Sequence, residues 1–406
     1  MPFIGFTPHL HTFRARRLIL PTGSYIVIPT RVGPGIAAFG QHYRVTWTVP
    51  DDVYAISAVV VGGGGGAAFQ YHGSRYYSGL GGGSGGGLMW RKHIFTTPGE
   101  TLYLQAGQYG KYGFRTSTSY ASETIYAPWL YSPGWSGGTS AIYRNGWPEN
   151  GGTKLLAATG GIGRGPESSL GHPGYDYLGR YNPLPGGYGD PSGADSLLGT
   201  EGIDWGATSG GASEMANYVV GAGGGAGGYL SNGGDAIPGE FGGLVSYDGG
   251  HGGYSSQPNN GQYYVGEAGN GGGVSLYGSK NTSPTNYVST TAQGFSSYKW
   301  SNPWRPGGGP GKKGSPDPVL EPQFIDNSES AQRAVDWPIG YNANAPLDRK
   351  LVSYGGGQGA IKTSSRYQSA SLETPGPGAV RIIWGPGRSY PLTNTGIVGS
   401  ELINWG

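Results

Sequence analysis

Apolar and polar residues alternate along HYRVTWTVP, where Tyr43, Val45, Trp47 and Val49 interleave with His42, Arg44, Thr46 and Thr48. That is the period of a half-buried strand, and Pro50 stops it. Asp51 and Asp52 predict a turn, after which VYAISAVVV is apolar on both faces, as a strand in the middle of a sheet would be. ETLYLQAG (Glu100 to Gly107) alternates again, with Leu102, Leu104 and Ala106 on one face. SAIYRNGW carries Asn145-Gly146, a hairpin-turn pair, ahead of the strand TKLLAAT. Helical periodicity is almost absent. Only SESAQRAVDW (Ser328 to Trp337) predicts a short helix, capped by Ser328 or Ser330 and ended by Pro338.

The apolar runs share an unusual ending. In VVVGGGGGAAF (Val59 to Phe69) three β-branched residues abut five glycines. The theme returns in LLAATGGIG (Leu155 to Gly163), YVVGAGGGAGG (Tyr218 to Gly228), LVSYGGGQG (Leu351 to Gly359) and GAVRIIWG (Gly378 to Gly385), without a fixed period and so without a regular solenoid. Composition decides how to read it. With 84 Gly and 30 Pro in 406 residues the chain resembles low-complexity sequence, but no Gly-X-Y repeat runs through it. Its 30 Tyr, 11 Trp and 10 Phe, against 12% charged residues, do not fit a disordered tail.

Glycine loses more backbone freedom on folding than any other residue, so ordered glycine runs must be held by main-chain bonds. Gly62, Gly63, Gly64, Gly65 and Gly66, the run 81–87, and 221–228 with Gly223, Gly224 and Gly225 are therefore expected to form polyglycine II helices. These are extended threefold coils rising about 3.1 Å per residue, close enough without Cβ atoms to bond side by side. The predicted fold is mainly β: antiparallel strands combined with packed polyglycine II helices and long aromatic-rich loops, with almost no α-helix. Three stretches are set apart: an N-terminal attachment segment 1–40, a glycine-rich domain 41–388 and a C-terminal tail 389–406. Within the domain, 315–354 holds a single glycine, Gly340, and reads as a long excursion or contact arm.

A net charge of +2 offers no large field for nucleic acid or an anionic membrane. The absence of cysteine removes disulfides and thiolate metal sites and fits assembly in a reducing cytoplasm. MPFIGFTPHLHTFRARRLILP lacks the basic-then-apolar order of a signal peptide, and no apolar run approaches the roughly 20 residues that span a bilayer. Neither secretion by the usual route nor membrane insertion is expected.

Several motifs together resemble the glycine-rich domains of bacteriophage virion proteins, particularly tail-fibre and tail-associated proteins of marine phages and cyanophages. In order they are VTWTVPDDVYAISAVVVGGGGG (Val45 to Gly66), PGETLYLQAGQYG (Pro98 to Gly110), GGTSAIYRNG followed by LLAATGGIG, and GAVRIIWGPGRSYPLTNTG (Gly378 to Gly396). The closing stretch is the most specific, and the quoted motifs span most of the chain. The resemblance implies a β-rich glycine-helix fold on the outer surface of a virion, synthesised in the host cytoplasm and placed at a fibre or adhesin. It also implies other virion proteins as partners, a host-surface glycan or outer-membrane protein as receptor, and a homotrimer as the default assembly. Capsid decoration or a head fibre is the alternative role, and an extracellular glycine-rich matrix or filament protein a further one.

Candidate chemistry is sparse. GGSGG (Gly82 to Gly86) and GWSGG (Gly134 to Gly138) match G-x-S-x-G, but a nucleophile elbow needs a following helix that neither Ser84 nor Ser136 has. GGGAGG (Gly223 to Gly228) fits G-x-G-x-x-G without opening a helix. His9 and His11 form an H-x-H pair better read as a surface or interface pair than a metal site, and Asp176, Asp190, Asp195, Glu201 and Asp204, without EF-hand spacing, as solvated loop acids rather than a calcium or sugar site. Lys312 and Lys313 read as a solvated loop. No enzyme activity, catalytic residue, cofactor or metal is expected; polysaccharide depolymerisation is the enzyme alternative. The informative signal is aromatic residues interleaved with glycine. Tyr71, Tyr76, Tyr77, Trp129, Tyr131, Trp135, Tyr263, Tyr264, Trp300 and Trp304 are candidate receptor contacts, because rigid amphipathic rings give contact area at low entropy cost. Phe3, Phe6, Phe13, Arg14, Arg16 and Arg17 are candidates for docking on the virion.

Overall fold

The computed structural model describes residues 20–29, 42–67, 69–71, 82–110, 130–132, 135–163, 186–192, 194, 200–201, 203–212, 223–236, 249, 252, 266–267, 271–274, 276–278, 354–357, 361–363, 375–396 and 400–405. These residues form a mainly β fold with no α-helix among them. The strands are β1 (Gly23–Ile28), β2 (His42–Thr48), β3 (Ala55–Val61), β4 (Phe69–Tyr71), β5 (Leu88–Phe95), β6 (Thr101–Gly107), β7 (Leu130–Ser132), β8 (Ser140–Arg144), β9 (Thr153–Ala158), β10 (Trp205–Thr208), β11 (Gly266–Glu267), β12 (Ile361–Thr363), β13 (Ala379–Trp384) and β14 (Ser400–Trp405).

A six-stranded sheet in the order β10-β5-β3-β13-β1-β14 lies over a four-stranded sheet in the order β2-β6-β8-β9. The six-stranded sheet takes strands from all three stretches that sequence reading sets apart: β1 precedes residue 40 and β14 follows 389. VYAISAVVV supplies β3, buried on both faces as its unbroken apolar run predicts. Ile56, Ala58 and Val60 meet Leu102, Leu104, Ile142 and Leu156 of the second sheet, while Val59 and Val61 face Ala226, Tyr229, Val274 and Tyr354. Trp47 of β2 joins the first cluster, stacked on Tyr25 at 6.0 Å and tilted against Trp384 at 5.5 Å. The predicted turn forms at Asp51 and Asp52, with Asp52 at φ 61°. Asn145 and Gly146 also take positive φ, 62° and 130°, but they only begin the β8–β9 connection. It closes after a 3-10 turn at Pro148–Asn150, so this hairpin is longer than the two-residue form.

Strands then give way to glycine. β3 runs into 62–66, 82–87 runs into β5, β6 continues to 110, 135–139 feeds β8, β9 continues to 163, and 375–378 feeds β13. Amides in successive positions bond in different directions: Gly62 to the Gly87 carbonyl (2.9 Å), Gly63 to Gly138 (3.0 Å), Gly64 to Gly376 (2.8 Å). Three residues on, the sequence of partners repeats, with Gly65 bonding Ser84 (2.9 Å) and Gly66 bonding Trp135 (2.8 Å). The run 83–87 behaves alike, Ser84 and Gly87 both donating to the segment 159–162. Among the described residues it exchanges bonds with six segments, those containing Gly62, Thr159, Gly187, Gly211, Gly227 and Gly355. Side chains have no room at the closest approaches: a Cβ on Gly62, Gly63, Gly64 or Gly65 would run into the carbonyl oxygen of Thr159, Gln108, Gly356 or Ile162.

Candidate functional site

The direction of each run gives the molecule two unlike ends. Val61, Leu88, Gly107, Ser140, Ala158 and Ala379 mark where the strands meet the glycine bundle, so Gly66, Gly83, Gly110, Trp135, Gly163 and Pro375 lie at its far end. The bonds Gly224 to Gly83 (3.1 Å), Gly227 to Gly86 (2.9 Å) and Gly271 to Gly357 (2.8 Å) put Gly223, Gly271 and Gly357 at that far end too. The chain therefore leaves and re-enters the bundle there on either side of 67–82, 110–135, 163–186, 212–223, 236–271 and 357–375.

A second four-stranded sheet, β11-β12-β4-β7, is built from those same excursions just beyond the bundle. β4 follows Ala67, β7 precedes Trp135, β11 precedes Gly271 and β12 follows Gly357. Two predicted contact residues share this sheet. Tyr71 is in register with Thr363 of β12 on one side and Leu130 of β7 on the other, while Tyr131 sits opposite Gln70. Trp135, half-buried, stands at the bundle's far end with its carbonyl accepting the Gly66 amide. Tyr76, Tyr77, Trp129, Tyr263 and Tyr264 lie outside the described residues, within stretches that start and finish at this end. Trp300 and Trp304, also outside, belong to 279–353, which joins the strand side of the bundle through Tyr277 and Tyr354. The sequence reading missed the sheet because strands of two or three residues carry no period; the visible sign is a short apolar or polar run beside each glycine tract.

The first strand begins at the opposite end. β13 runs away from the bundle and β1 is antiparallel to it, so Gly23 and the exposed Leu20 lie at the end remote from the aromatic excursions. Phe3, Phe6, Phe13, Arg14, Arg16 and Arg17, together with His9 and His11, fall outside the described residues, as do Ser328 to Trp337, Asp176, Asp195, Lys312 and Lys313.

The sequence's chemical motifs act as scaffold. The Ser84 hydroxyl is fully buried, accepts the Ile162 amide (2.7 Å) and donates to the Ile162 carbonyl (3.3 Å). Ser136 accepts the Gly163 amide at 3.2 Å. Gly224, Gly225, Ala226 and Gly227 donate to Gly83, Gly234, Gly272 and Gly86, so these four amides of GGGAGG are committed to neighbouring runs. Asp190 accepts from Lys154 (2.8 Å) and from Ser192; these bonds outweigh its partial burial and hold the carboxyl below the usual range. Asp204 accepts the Thr200 amide at 3.0 Å. No group of acidic or histidine side chains able to hold a metal occurs among the described residues, and no helix there is long and apolar enough to cross a membrane.

The closing motif GAVRIIWGPGRSYPLTNTG instead assembles a buried polar cluster. Arg381, fully buried on β13, donates to Glu401 (2.8 Å), the Tyr390 hydroxyl (3.0 Å), the Leu276 carbonyl (3.2 Å) and the Thr395 carbonyl, and lies 4.2 Å from the centre of the Tyr277 ring. Tyr277 donates to the other Glu401 oxygen at 3.0 Å. Burial alone would weaken the Arg381 charge; Tyr390, Glu401 and Tyr277 outweigh it, and the guanidinium stays charged above its ordinary range. Burial drives the hydroxyls of Tyr277, Tyr354 and Tyr390 upward. Arg388 bonds the carbonyls of Gly23, Trp384, Asn394 and Gly396, tying both chain-terminal regions to the sheet. The cluster is buried, and it joins β13, β14 and the segments 276–278 and 388–396 through side-chain bonds.

No protein-family model matches the chain, and no curated protein sequence matches it.

Proposed function

We propose that the chain is a bacteriophage virion structural protein, tail-fibre or tail-associated, that presents aromatic-rich loops to the host surface. The observation that carries this reading is the polarity of the molecule. Stretches bearing Tyr71, Tyr76, Tyr77, Trp129, Tyr131, Tyr263 and Tyr264 depart from one end of the glycine bundle, and residues 1–19 join at the other. Such an arrangement suits attachment through one end and contact through the other. Bonding that repeats every third residue supports reading the runs as polyglycine II helices, a stiff platform held by its main chain. The order of the sequence motifs supports the virion assignment. Rings stacked on sugars or pressed against an outer-membrane protein would supply the contact.

Immunogold labelling of the phage particle with antibody against the full chain tests the location: gold on the tail or its fibres is expected, and gold on the head alone overturns the reading. Deleting residues 1–20 tests the polarity, with loss of the chain from purified particles expected and normal incorporation refuting attachment through that end. Replacing Tyr71 and Tyr131 with Ala together is expected to lower host-cell adsorption while particles keep the protein; unchanged adsorption removes these two residues from the contact.

A further inference from the structure

β14 is the outermost strand of the six-stranded sheet and runs parallel to β1 in unbroken register from Gly23↔Ser400 to Ile28↔Trp405. No described residue pairs with its outer edge. On the other flank the edges are covered. β10 and its neighbours make bridges Glu201↔Trp205 and Tyr188↔Ser209, and β9 makes Lys154↔Ala194 and Ala158↔Gly189. Proteins blunt open edges with charge, proline, bulges or covering loops, because a bare edge templates another strand. SELINW has no proline and no bulge, and its one charge, Glu401, is turned inward to Arg381 and Tyr277. Leu402 is left 59% exposed. Its register partner Tyr25 faces the four-stranded sheet, and Asn404 on the same face accepts from Tyr43 of β2 at 2.9 Å, so Leu402 overhangs the edge of the sandwich.

We propose that β14 pairs antiparallel with β14 of a second copy of this chain, about a twofold axis through Leu402. Residues directly opposite in an antiparallel ladder must both turn their amides toward, or both away from, the partner strand. The axis of a self-pair therefore passes through a residue and never between two. Centred on Leu402, the register sets that side chain against its own mate, Ser400 against the second copy's Asn404, and Glu401 against the second copy's Ile403. No like charges face each other, and the exposed apolar side chain is covered at the axis. The two six-stranded sheets become continuous. This inference rests on the edge alone and stands apart from the proposed function.

The chain contains no cysteine, so Leu402→Cys introduces a single thiol at the axis, where the Cα spacing of an antiparallel pair (about 4.5–5.5 Å) matches a disulfide. Sedimentation equilibrium of the full chain at micromolar concentration is expected to give twice 42.1 kDa. Mild oxidation should lock Leu402→Cys as a covalent dimer and leave the exposed Thr46→Cys on β2 uncrosslinked. Leu402→Lys, which sets two ammonium groups face to face, should sediment at 42.1 kDa while keeping the wild-type far-ultraviolet circular dichroism spectrum. A monomeric or trimeric wild type, a Leu402→Lys variant that stays dimeric, or equal crosslinking from Thr46→Cys overturns the proposal.

Discussion

Gly64→Ala isolates what the glycine bundle demands of its sequence. An added Cβ would overlap the Gly356 carbonyl oxygen, stand 2.5 Å from its carbonyl carbon and 3.1 Å from the Gly355 oxygen, all backbone atoms without a rotamer to give way. Reaching an ordinary contact of 3.4 Å from that carbon needs a separation of about 0.9 Å. The run 354–357 is itself bonded by Gly86 to Gly355 at 2.7 Å and by Gly376 to Gly356 at 2.8 Å, bonds that a backbone shift of this size would have to break or bend. Two buried main-chain bonds lost at roughly 1–3 kcal/mol each give about 2–6 kcal/mol, against a gain of about 0.4–1 kcal/mol from a stiffer unfolded chain. Two comparisons calibrate the result. Gly396→Ala meets nothing within 4 Å and should be neutral; Gly99→Ala meets nothing either but sits at φ 79°, so about 1–2 kcal/mol of left-handed strain is its whole cost. Urea unfolding followed by tryptophan fluorescence and by far-ultraviolet circular dichroism orders the three. Gly64→Ala no less stable than Gly396→Ala would refute close backbone contact as the reason for glycine.

The buried pair should be costlier to break than to remove. Glu401→Gln leaves the Arg381 charge unmatched, at about 3–5 kcal/mol, and Arg381→Met with Glu401→Leu should recover most of that loss in the same urea assay. Ser84→Ala strips the Ile162 amide of its acceptor and should cost about 1–3 kcal/mol in denaturant midpoint, with no change in secondary structure by circular dichroism. Tyr277, Tyr354 and Tyr390 have raised folded-state pKa values, so their contribution is complete below about pH 10, the unfolded value, and is lost as pH rises further. Stability should therefore fall above pH 10 by up to about 1.4 kcal/mol per pH unit for each of these tyrosines, and Tyr354→Phe should lessen the slope; a flat profile from pH 10 to 12 contradicts their burial.

Much of the sandwich was legible because periodicity reports burial directly. β2, β3 and β6 stand where alternation or unbroken apolarity placed them, and Trp47, Leu102 and Leu104 are in the core. GSYIVI and SELINW carry equally readable strand patterns, yet their positions near the termini set them apart as an attachment segment and a tail. Their pairing with each other depends on a contact between residues 23 and 400, which no local pattern encodes. Arg381 likewise looks like an interruption of AVRIIW until Glu401 and Tyr390 come round to meet it. Glycine content announced the bundle but not its polarity. That follows from which runs ascend and which descend, a property of the tertiary fold.

The polarity has a mechanical side. A pull between residue 20 and the small sheet beyond the bundle would be directed along the strand axes, lengthwise down the molecule. β1, entered at Gly23 and clamped between β13 and β14, would have to slide past both partners at once, so its ladder bonds would share the load in shear instead of opening one after another. The lateral bonds of the glycine runs lie crosswise to the same tension. In the role proposed above, this is the axis along which a particle held to a cell would be pulled, and the load would fall on many bonds at once.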